Sequence, residues 1–180
     1  GHVRDVWYGN FNESGYTELP ADSELKKAVE QSQEKLADLI QRKSDKVMSC
    51  YNCRVHDRQA FPHRGGHVFL KCQSIAPFMI FSKIIDYDWA LECCKMCEEW
   101  GLDFLSFPRY IAFAIDLYQR GILTKADTDG MHLEFGNPEV FVALMKKIVN
   151  REGIGDVPAN GTLRAARQIG RGAEEYVHVV

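Results

Sequence analysis

The sequence predicts an all-α fold, and three observations support this prediction. Apolar residues recur at the three- and four-residue spacing of an amphipathic helix in several separate segments. Most of these segments are bounded by residues that start or stop helices, with proline or a capping side chain before them and glycine after them. Alternation of apolar and polar residues, which is typical of a half-buried strand, is scarce. Helical segments joined by loops favour a helical domain.

The first predicted helix begins at Asp22 or Ser23 and runs to about residue 40, where polar residues follow. The residues before it are rich in glycine, asparagine and aromatic side chains and show no regular period. We interpret residues 1–21 as an irregular connector and residues 22–180 as a helical domain.

Four further helices are predicted from their end signals. They are Tyr87–Trp100, which Gly101 would end; a helix opened by Pro108 and ended by Gly121; a helix capped by Asn137, opened by Pro138 and ended by Gly153; and a short helix at Thr162–Ile169. A turn at Gly65-Gly66 and a short extended segment at residues 67–72 are expected before them.

The composition indicates an ordinary globular protein. Hydrophobic residues make up 46% and charged residues 26%, and the net charge of −3 favours neither nucleic acid nor an anionic membrane surface. The longest apolar run, residues 74–85, contains Pro77 and Lys83 and is too short to span a membrane. No signal peptide is recognised, and Cys93, Cys94 and Cys97 crowd one helix where disulfide pairing is awkward. We therefore expect a cytoplasmic protein.

The pair Cys50 and Cys53 is a candidate metal site, because two thiolates at this spacing can bind one ion. With His63 and His67 they would supply four ligands suited to tetrahedral zinc. The interval between the pairs is shorter than in a standard zinc finger, and two buried thiols are an equal alternative. Cys72 stands alone among apolar residues. It fits either a core position or the single protein thiolate of a molybdenum or tungsten centre.

The segment "CEEWGLDF" is unusual because Glu98 and Glu99 end a helix, where the helix dipole disfavours negative charge. Asp103 follows just after Gly101. Carboxylates at a break between helices can accept hydrogen bonds from the amino groups of a heterocycle. A solvated helix end is the simpler alternative.

Several segments together carry a resemblance to a known family. "SCYNC" (49–53), "EEWGLD" (98–103), "IAFAIDLYQRGILTKAD" (111–127) and "NREGIGDVPANGTLRAARQIGRGAEEYVHVV" (150–180) occur in this order, and the chain resembles the tungsten-containing aldehyde ferredoxin oxidoreductase family. "SCYNC", "FLKCQS" and "GAEEYVH" are most similar to the catalytic subunit of class II, ATP-independent benzoyl-CoA reductases. The resemblance implies the helical middle domain of a longer subunit, without the family's terminal portions. It also implies that the connector at residues 1–21 lies near the active site, and that residues 22–180 are part of a helical cofactor-binding domain that continues beyond this fragment.

The resemblance also implies two cofactors, a tungsten bis-pyranopterin and a 4Fe–4S cluster. Cys50 and Cys53 match the first two cluster ligands, and Asp57 stands where the family has the third cysteine. A carboxylate is a harder ligand than a thiolate, so the cluster would be altered or less securely held, and the adjacent His56 could substitute. Cys72 matches the tungsten thiolate of the benzoyl-CoA reductases.

The family's DxxGL(D/C) pterin motif matches residues 98–103, with Glu98 in place of the first aspartate, followed by Gly101, Leu102 and Asp103. Gln73 stands near the position of a glutamate thought to transfer protons in the aldehyde-oxidising branch. Because glutamine cannot exchange protons, this weighs against aldehyde oxidation. Asp5 and Tyr8 match the acid and the histidine that the reductases place near the substrate ring, and tyrosine is a weaker acid than histidine.

Together these matches predict an enzyme, an oxidoreductase that reduces an aromatic acyl-CoA at low potential. The expected partners are an electron-transferring iron–sulfur subunit or a ferredoxin. The alternatives are an aldehyde:ferredoxin oxidoreductase of the same family, a zinc-stabilised helical module without enzymatic activity, and a scaffold that has lost the cluster. Molybdenum in place of tungsten also remains open.

Overall fold

The computed structural model describes residues 45–49, 51–52, 54, 58–70 and 75–177. Its helices and strands are β1 (Lys46–Met48), β2 (Arg58–His63), β3 (Gly66–Leu70), α1 (Ala76–Ser82), α2 (Tyr87–Trp100), α3 (Ser106–Gln119), α4 (Pro138–Asn150) and α5 (Thr162–Ile169). Short 3-10 turns lie at Gly153–Asp156, Pro158–Asn160 and Ala173–Tyr176. The chain divides into two compact units between Leu105 and Ser106. The predicted boundary between residues 21 and 22 lies outside the described residues.

The helix-rich fold is confirmed, but the first unit also contains a three-stranded antiparallel sheet in the order β1-β2-β3. Residues 67–70 of the predicted extended segment lie in β3, which turns back from β2 at Gly65 (φ +79°), and residues 71–72 lie outside the described residues. The helical prediction missed β2 because its sequence, RQAFPH, contains proline and no clean alternation.

Pro62 is tolerated in β2 because its position requires no backbone donor. It lies opposite His67, two residues from the Ala60–Phe69 pair. The N–H of Phe69 points away from β2, so Ala60 and Phe69 are a pair that exchanges no hydrogen bonds. Because such pairs alternate with hydrogen-bonded pairs along an antiparallel ladder, Pro62 and His67 exchange none either. On the other side, the described part of the ladder between β1 and β2 ends at Lys46 and Ala60. Among the described residues, the absent N–H of Pro62 therefore breaks no sheet hydrogen bond.

Helix α2 has the bounds that the sequence predicts. The Asp86 side chain accepts a hydrogen bond from the N–H of Trp89 (3.0 Å) and caps the first turn. The buried face of α2 consists of Ala90, Leu91, Cys93, Cys94 and Cys97. Helix α1 occupies part of the long apolar run and ends at Lys83 in the left-handed conformation (φ +60°). The middle of that run is therefore a helix of the first unit, in which Phe78, Met79 and Ile80 are buried.

The second unit contains the other three predicted helices. Helix α3 begins two residues before Pro108, which is allowed because the N–H groups of a first helical turn have no partner within the helix. Helix α4 is capped by Asn137, whose side chain accepts from the N–H of Glu139 (3.1 Å), and it ends at Asn150 rather than at Gly153. Helix α5 has its predicted bounds. Buried residues at helical spacing, such as Phe107 and Ile111, form the core of this unit.

Two carboxylates fasten the loops of the second unit. Asp127 accepts from the guanidinium of Arg171 at 2.7 and 3.0 Å and from the N–H of Thr124 at 2.8 Å. These bonds, chiefly that of Arg171, hold the pKa of Asp127 well below its ordinary value. Asp129 accepts from Lys147 Nζ (2.9 Å) and from the N–H of Ile154 (3.1 Å). Because both carboxylates stabilise the fold when ionised, their contribution is present above the ordinary carboxyl pKa of 3.8 and is lost as the pH falls below it.

In the part of the chain that the structure describes, no helix is both long enough and apolar enough to cross a bilayer.

Candidate functional site

The end of α2 carries the candidate pterin motif, and its backbone forms a Schellman turn. The N–H of Leu102 donates to the carbonyl of Cys97 (2.8 Å), and the N–H of Gly101 donates to that of Glu98 (3.4 Å). Gly101 is left-handed, with φ +67°. Glycine adopts this conformation without the steric cost that a Cβ atom brings. The glycine and leucine of the motif therefore end the helix and fix the start of the loop that contains Asp103.

We expect Gly101→Ala to destabilise the chain by about 1–2 kcal/mol, the cost of a left-handed alanine. A Cβ atom at Gly101 would meet nothing within 4 Å, so only the backbone conformation contributes. Urea unfolding of the chain measures the change. Gly101→Asn is the matched control. Because asparagine tolerates the left-handed conformation better than alanine, this variant is expected to lose less stability than Gly101→Ala. Equal stability of the alanine variant and the parent would contradict the prediction.

Glu98 faces the sheet. Its carboxylate oxygens lie 3.2 and 3.4 Å from the backbone nitrogen of Phe69, which donates its N–H from the outer edge of β3. Burial raises the pKa of Glu98, while the Phe69 hydrogen bond and the positive charge of Arg58 act in the opposite direction. The first acidic residue of the motif thus bonds to the fold of the first unit.

Asp103 lies in the exposed loop just after the Schellman turn. Its Oδ2 accepts a hydrogen bond from the N–H of Leu105 (3.1 Å), which closes a short turn before α3. An ionised carboxylate has two oxygens and can accept several hydrogen bonds at once. Asp103 therefore has the chemistry and the exposure of an acceptor for a bound heterocycle.

The cysteines of α2 are core thiols. Cys93, Cys94 and Cys97 are fully buried and form no disulfide. Burial raises the pKa of Cys97 to about 12, with a smaller contribution from Asp103, and raises those of Cys93 and Cys94 further. Thiols with such pKa values stay protonated at neutral pH, whereas metal ligation needs the thiolate. Across the described ranges, no group of three or more histidine, cysteine, aspartate or glutamate side chains is placed to hold a metal ion.

The two histidines of the zinc alternative bind different carboxylates. His63 Nε2 lies 2.6 Å from Glu92 Oε2, and His67 Nε2 lies 3.0 Å from Asp45 Oδ2. Zinc commonly binds histidine through such a ring nitrogen, so these bonds would have to break or the rings would have to bind through the other nitrogen. The zinc alternative thus gains no support from the described geometry.

The His63–Glu92 pair fixes the β2–β3 turn to α2 and makes stability depend on pH. The His63 side chain is 9% exposed, that of Glu92 is 29% exposed, and Arg64 Nη1 lies 3.3 Å from Glu92 Oε1. The hydrogen bond from His63, assisted by Arg64, lowers the pKa of Glu92 from its ordinary value of 4.5. A depressed carboxyl pKa contributes stability above pH 4.5, and this contribution is lost as the pH falls below that value.

We expect Glu92→Gln to reduce stability at pH 7 by about 0.5–1 kcal/mol, a modest value because water reaches part of the pair. The variant should also lose less stability than the parent as the pH falls below 4.5. Urea unfolding at several pH values measures both effects. Glu99→Gln is the matched control, because the Glu99 side chain is 58% exposed and its carboxylate lies 3.9 Å from Lys95 Nζ. A loss as large in the control would show that the His63 contact is not the cause.

The other predicted site residues lie outside the described residues. They are the candidate catalytic residues Asp5 and Tyr8, and the candidate metal ligands Cys50, Cys53, Asp57 and Cys72. His56 and Gln73 also lie outside, so the expected roles of all these residues stay predictions. The described geometry adds two residues that sequence reasoning missed, Phe69 and Glu92. For Phe69, the one signal in the sequence was the unexplained acidic end of α2, which contains its partner Glu98.

Comparison with known proteins identifies the family. A family model described as aldehyde ferredoxin oxidoreductase, domains 2 and 3, matches residues 5–180. The aliphatic sulfonate oxidoreductase, WOR-like subunit, of Pyrococcus furiosus is 46% identical over 74 residues, which are 41% of this chain and 12% of that protein. The tungsten-containing aldehyde ferredoxin oxidoreductase of Pyrococcus abyssi is 35% identical over 92 residues, which are 49% of this chain and 15% of that protein.

A solved structure matches a larger share of the chain. The active site complex BamBC of benzoyl coenzyme A reductase, in complex with 1,5-dienoyl-CoA, superposes with a TM-score of 0.67 and 37% identity. The match covers 89% of this chain and 23% of the other. The chain thus spans less than a quarter of the length of these proteins. Because the family model matches nearly the whole chain, the chain belongs to the aldehyde ferredoxin oxidoreductase family, within its domains 2 and 3.

Proposed function

We propose that the full-length protein is a tungstopterin and iron–sulfur oxidoreductase that reduces an aromatic acyl-CoA at low potential. The observation that carries this proposal is the 37% identity to the benzoyl coenzyme A reductase complex across 89% of the chain. The curated relatives match 41% and 49% of the chain. The cysteine at position 72 and the glutamine at position 73 agree with the reductase branch.

The described residues suit a pterin at one position. Pterin rings carry amino and N–H donors, and the exposed Asp103 carboxylate is an acceptor at the end of a fixed turn. Gly101 and Leu102 set the backbone before it. In this proposal Asp103 orients the ring, Cys72 binds the metal, and Cys50, Cys53 and Asp57 hold the cluster. When bound, the tungsten centre supplies the redox chemistry and the cluster relays electrons to it.

The proposal gives the remaining residues roles in proton supply and partner binding. Asp5 and Tyr8 would deliver protons to the substrate ring, with tyrosine the weaker acid at neutral pH. Electrons would arrive from an iron–sulfur subunit or a ferredoxin. An acyl-CoA is the proposed substrate, since the matched complex contains a dienoyl-CoA.

The test is metal and activity analysis of the full-length protein, purified without oxygen. We expect tungsten, iron and acid-labile sulfide in the protein, and oxidation of a cyclic dienoyl-CoA by a viologen acceptor, the reverse of the proposed reaction. Absence of tungsten, molybdenum and iron from the folded protein would refute the proposal. Stoichiometric zinc that is lost together with the fold in Cys53→Ser would favour the zinc-stabilised module.

Aldehyde oxidation is the second candidate function, favoured by the tungsten-containing aldehyde ferredoxin oxidoreductase of Pyrococcus abyssi, which is 35% identical over 92 residues. The same preparation distinguishes the two functions when it is assayed with aldehydes. Turnover of aldehydes without turnover of the dienoyl-CoA would replace the first proposal with the second.

Asp57→Cys tests whether the cluster site is intact apart from one ligand. A third thiolate is expected to raise the iron and sulfide retained per subunit, because thiolates bind iron–sulfur clusters better than carboxylates do. Iron and sulfide analysis of variant and parent, purified side by side, measures the gain. Low iron in both proteins would favour a scaffold that has lost the cluster.

A further inference from the structure

Two peptide bonds of the second unit have a sequence that favours spontaneous chemical change. They are Asp129–Gly130 and Asn160–Gly161, and no other aspartate or asparagine of the chain precedes a glycine. The backbone nitrogen of such a glycine can attack Cγ of the residue before it, because glycine has no side chain to shield that nitrogen. A C–N bond forms, and ammonia leaves from asparagine or water leaves from aspartic acid. Water then opens the resulting succinimide to aspartate or isoaspartate.

We propose that these two bonds are latent modification sites, and that two basic residues at the end of α4, Lys147 and Arg151, keep them from reacting. Lys147 lies in the last turn of α4, and Arg151 is the residue that ends the helix. Isoaspartate adds a methylene to the backbone, so its formation would disrupt the turns that pack against α4. The inference concerns this unit alone and does not depend on the proposed cofactors.

The Asn160 side chain is held by hydrogen bonds at both of its polar atoms. Its Oδ1 accepts from the two terminal nitrogens of Arg151 at 3.1 and 3.2 Å, and its Nδ2 donates to the backbone carbonyl of Asp156 at 3.0 Å. The attacking nitrogen is also occupied, because the N–H of Gly161 donates to the carbonyl of Pro158 (3.0 Å). Rotation of Cγ toward Gly161 has to break these bonds, so the reaction requires local opening of the turn.

Arg151 has an uncommon backbone conformation for its residue type. It is left-handed (φ +54°), at a helix end where glycine or asparagine is preferred. Its guanidinium extends across the following turn to Asp156 Oδ1 (2.8 Å) and to Asn160. The planar fork of donors allows both contacts at once. A guanidinium also polarises the Asn160 carbonyl, but attack gains nothing from this until Cγ turns toward Gly161, so the restraint decides the rate.

Asp129 is held in a similar manner by Lys147. Its Oδ2 accepts from Lys147 Nζ (2.9 Å) and from the N–H of Ile154 (3.1 Å), and the N–H of Gly130 donates to the carbonyl of Lys125 (2.8 Å). The bond from Lys147 also lowers the pKa of Asp129. Succinimide formation needs the protonated acid, which can release water. Lys147 therefore both restrains the Asp129 side chain and keeps it ionised.

The experiment follows both bonds during storage in mildly alkaline buffer, in the full-length protein and in its Arg151→Gly and Lys147→Met variants. Glycine removes the guanidinium at a backbone position that suits glycine, so the end of α4 is preserved. Methionine removes the ammonium and keeps most of the apolar stem. Mass spectrometry of proteolytic peptides measures deamidation of Asn160, and enzymatic methylation of the same peptides measures isoaspartate at each bond.

We expect deamidation of Asn160 to be about tenfold or more faster in Arg151→Gly than in the parent, as loss of a charge-assisted hydrogen bond implies. Isoaspartate at Asp129 should form faster by a similar factor in Lys147→Met. Each variant is the control for the other, because the proposal places each effect at one bond. Unchanged rates at the expected bond in either variant would overturn the role of the residue that was replaced.

The parent protein unfolded in urea supplies the unprotected rates of both bonds. Reaction of the folded parent should be at least about tenfold slower at each bond, because attack then requires local opening. Equal rates in the folded and unfolded parent would show that neither bond is protected. Faster reaction at both bonds in a single variant would show that the packing of the whole unit protects them, and this result would also overturn the assignment to Lys147 and Arg151.

Discussion

Replacing Gly155 with alanine is expected to destabilise the second unit by about 3 kcal/mol, enough to unfold a marginally stable domain. Gly155 is buried in the 3-10 turn that follows α4. A Cβ atom there would lie 2.5 Å from the backbone nitrogen of Ile148 and still closer to the carbonyl carbon and oxygen of Lys147. These are backbone atoms of the last turn of α4, which cannot rotate aside as a side chain can. The turn or the helix end would have to move.

Urea or thermal unfolding of the chain measures this loss. The matched control is Gly121→Ala, in the same unit, where glycine has φ +76° and a Cβ atom would meet nothing within 4 Å. The control carries only the cost of a left-handed alanine, about 1–2 kcal/mol, without a steric clash. If the two variants lost the same stability, the close approach of Gly155 to α4 would not be the cause.

The Gly155 contact gives one segment that carries the resemblance a role in packing. The segment "NREGIGD" places Gly155 against the end of α4 and presents the N–H of Ile154 to Asp129. Asp129 in turn accepts from Lys147 of α4, so the turn and the helix share one carboxylate. A segment with both close backbone contact and a shared carboxylate tolerates few substitutions. It can therefore resemble relatives for reasons of packing, without any contact with a cofactor.

Helices α2 to α5 could be predicted because their signals are local. Asp86 and Gly101 mark the ends of α2, and Asn137 marks the start of α4, each through bonds to residues within one turn. Strand β2 could not be predicted in this way, because its pairing with β1 joins Ala60 to Lys46 and depends on the rest of the sheet. Pro62 also conceals it, and only the phase of the ladder shows why proline is allowed there.

The candidate site could be predicted only in part. The resemblance identifies the motif at residues 98–103, and the acidic helix end marks Glu98 as unusual. The partner of Glu98 is Phe69, 29 residues earlier in the chain, and no local pattern links them. Such a contact follows from how α2 packs on β3, which sequence periodicity does not specify. The spacing of Cys50 and Cys53 indicates a metal site, and the resemblance supplies the proposed roles of Asp57 and Cys72.

In the Asp103→Asn variant of the full-length protein, the amounts of bound pterin and tungsten per subunit are expected to fall by about tenfold or more, and activity should fall in parallel. Asparagine keeps one oxygen, which can still accept from the N–H of Leu105, so the loop itself should change little. The other oxygen becomes an amino group. In the proposed function this donor would face the donors of the pterin ring, and the negative charge would be lost as well.

Metal analysis and pterin fluorescence after oxidative release measure the loss, with far-ultraviolet circular dichroism as the check on folding. Glu99→Gln is the matched control, since it makes the same carboxylate-to-amide change at an exposed residue in the last turn of α2, and it should retain the cofactor of the parent. Asp103→Glu keeps the negative charge on a side chain that is one methylene longer, and this variant should retain part of the cofactor. Full occupancy in Asp103→Asn would mean that the pterin is held by other residues, and Asp103 would then serve only to close the turn before α3.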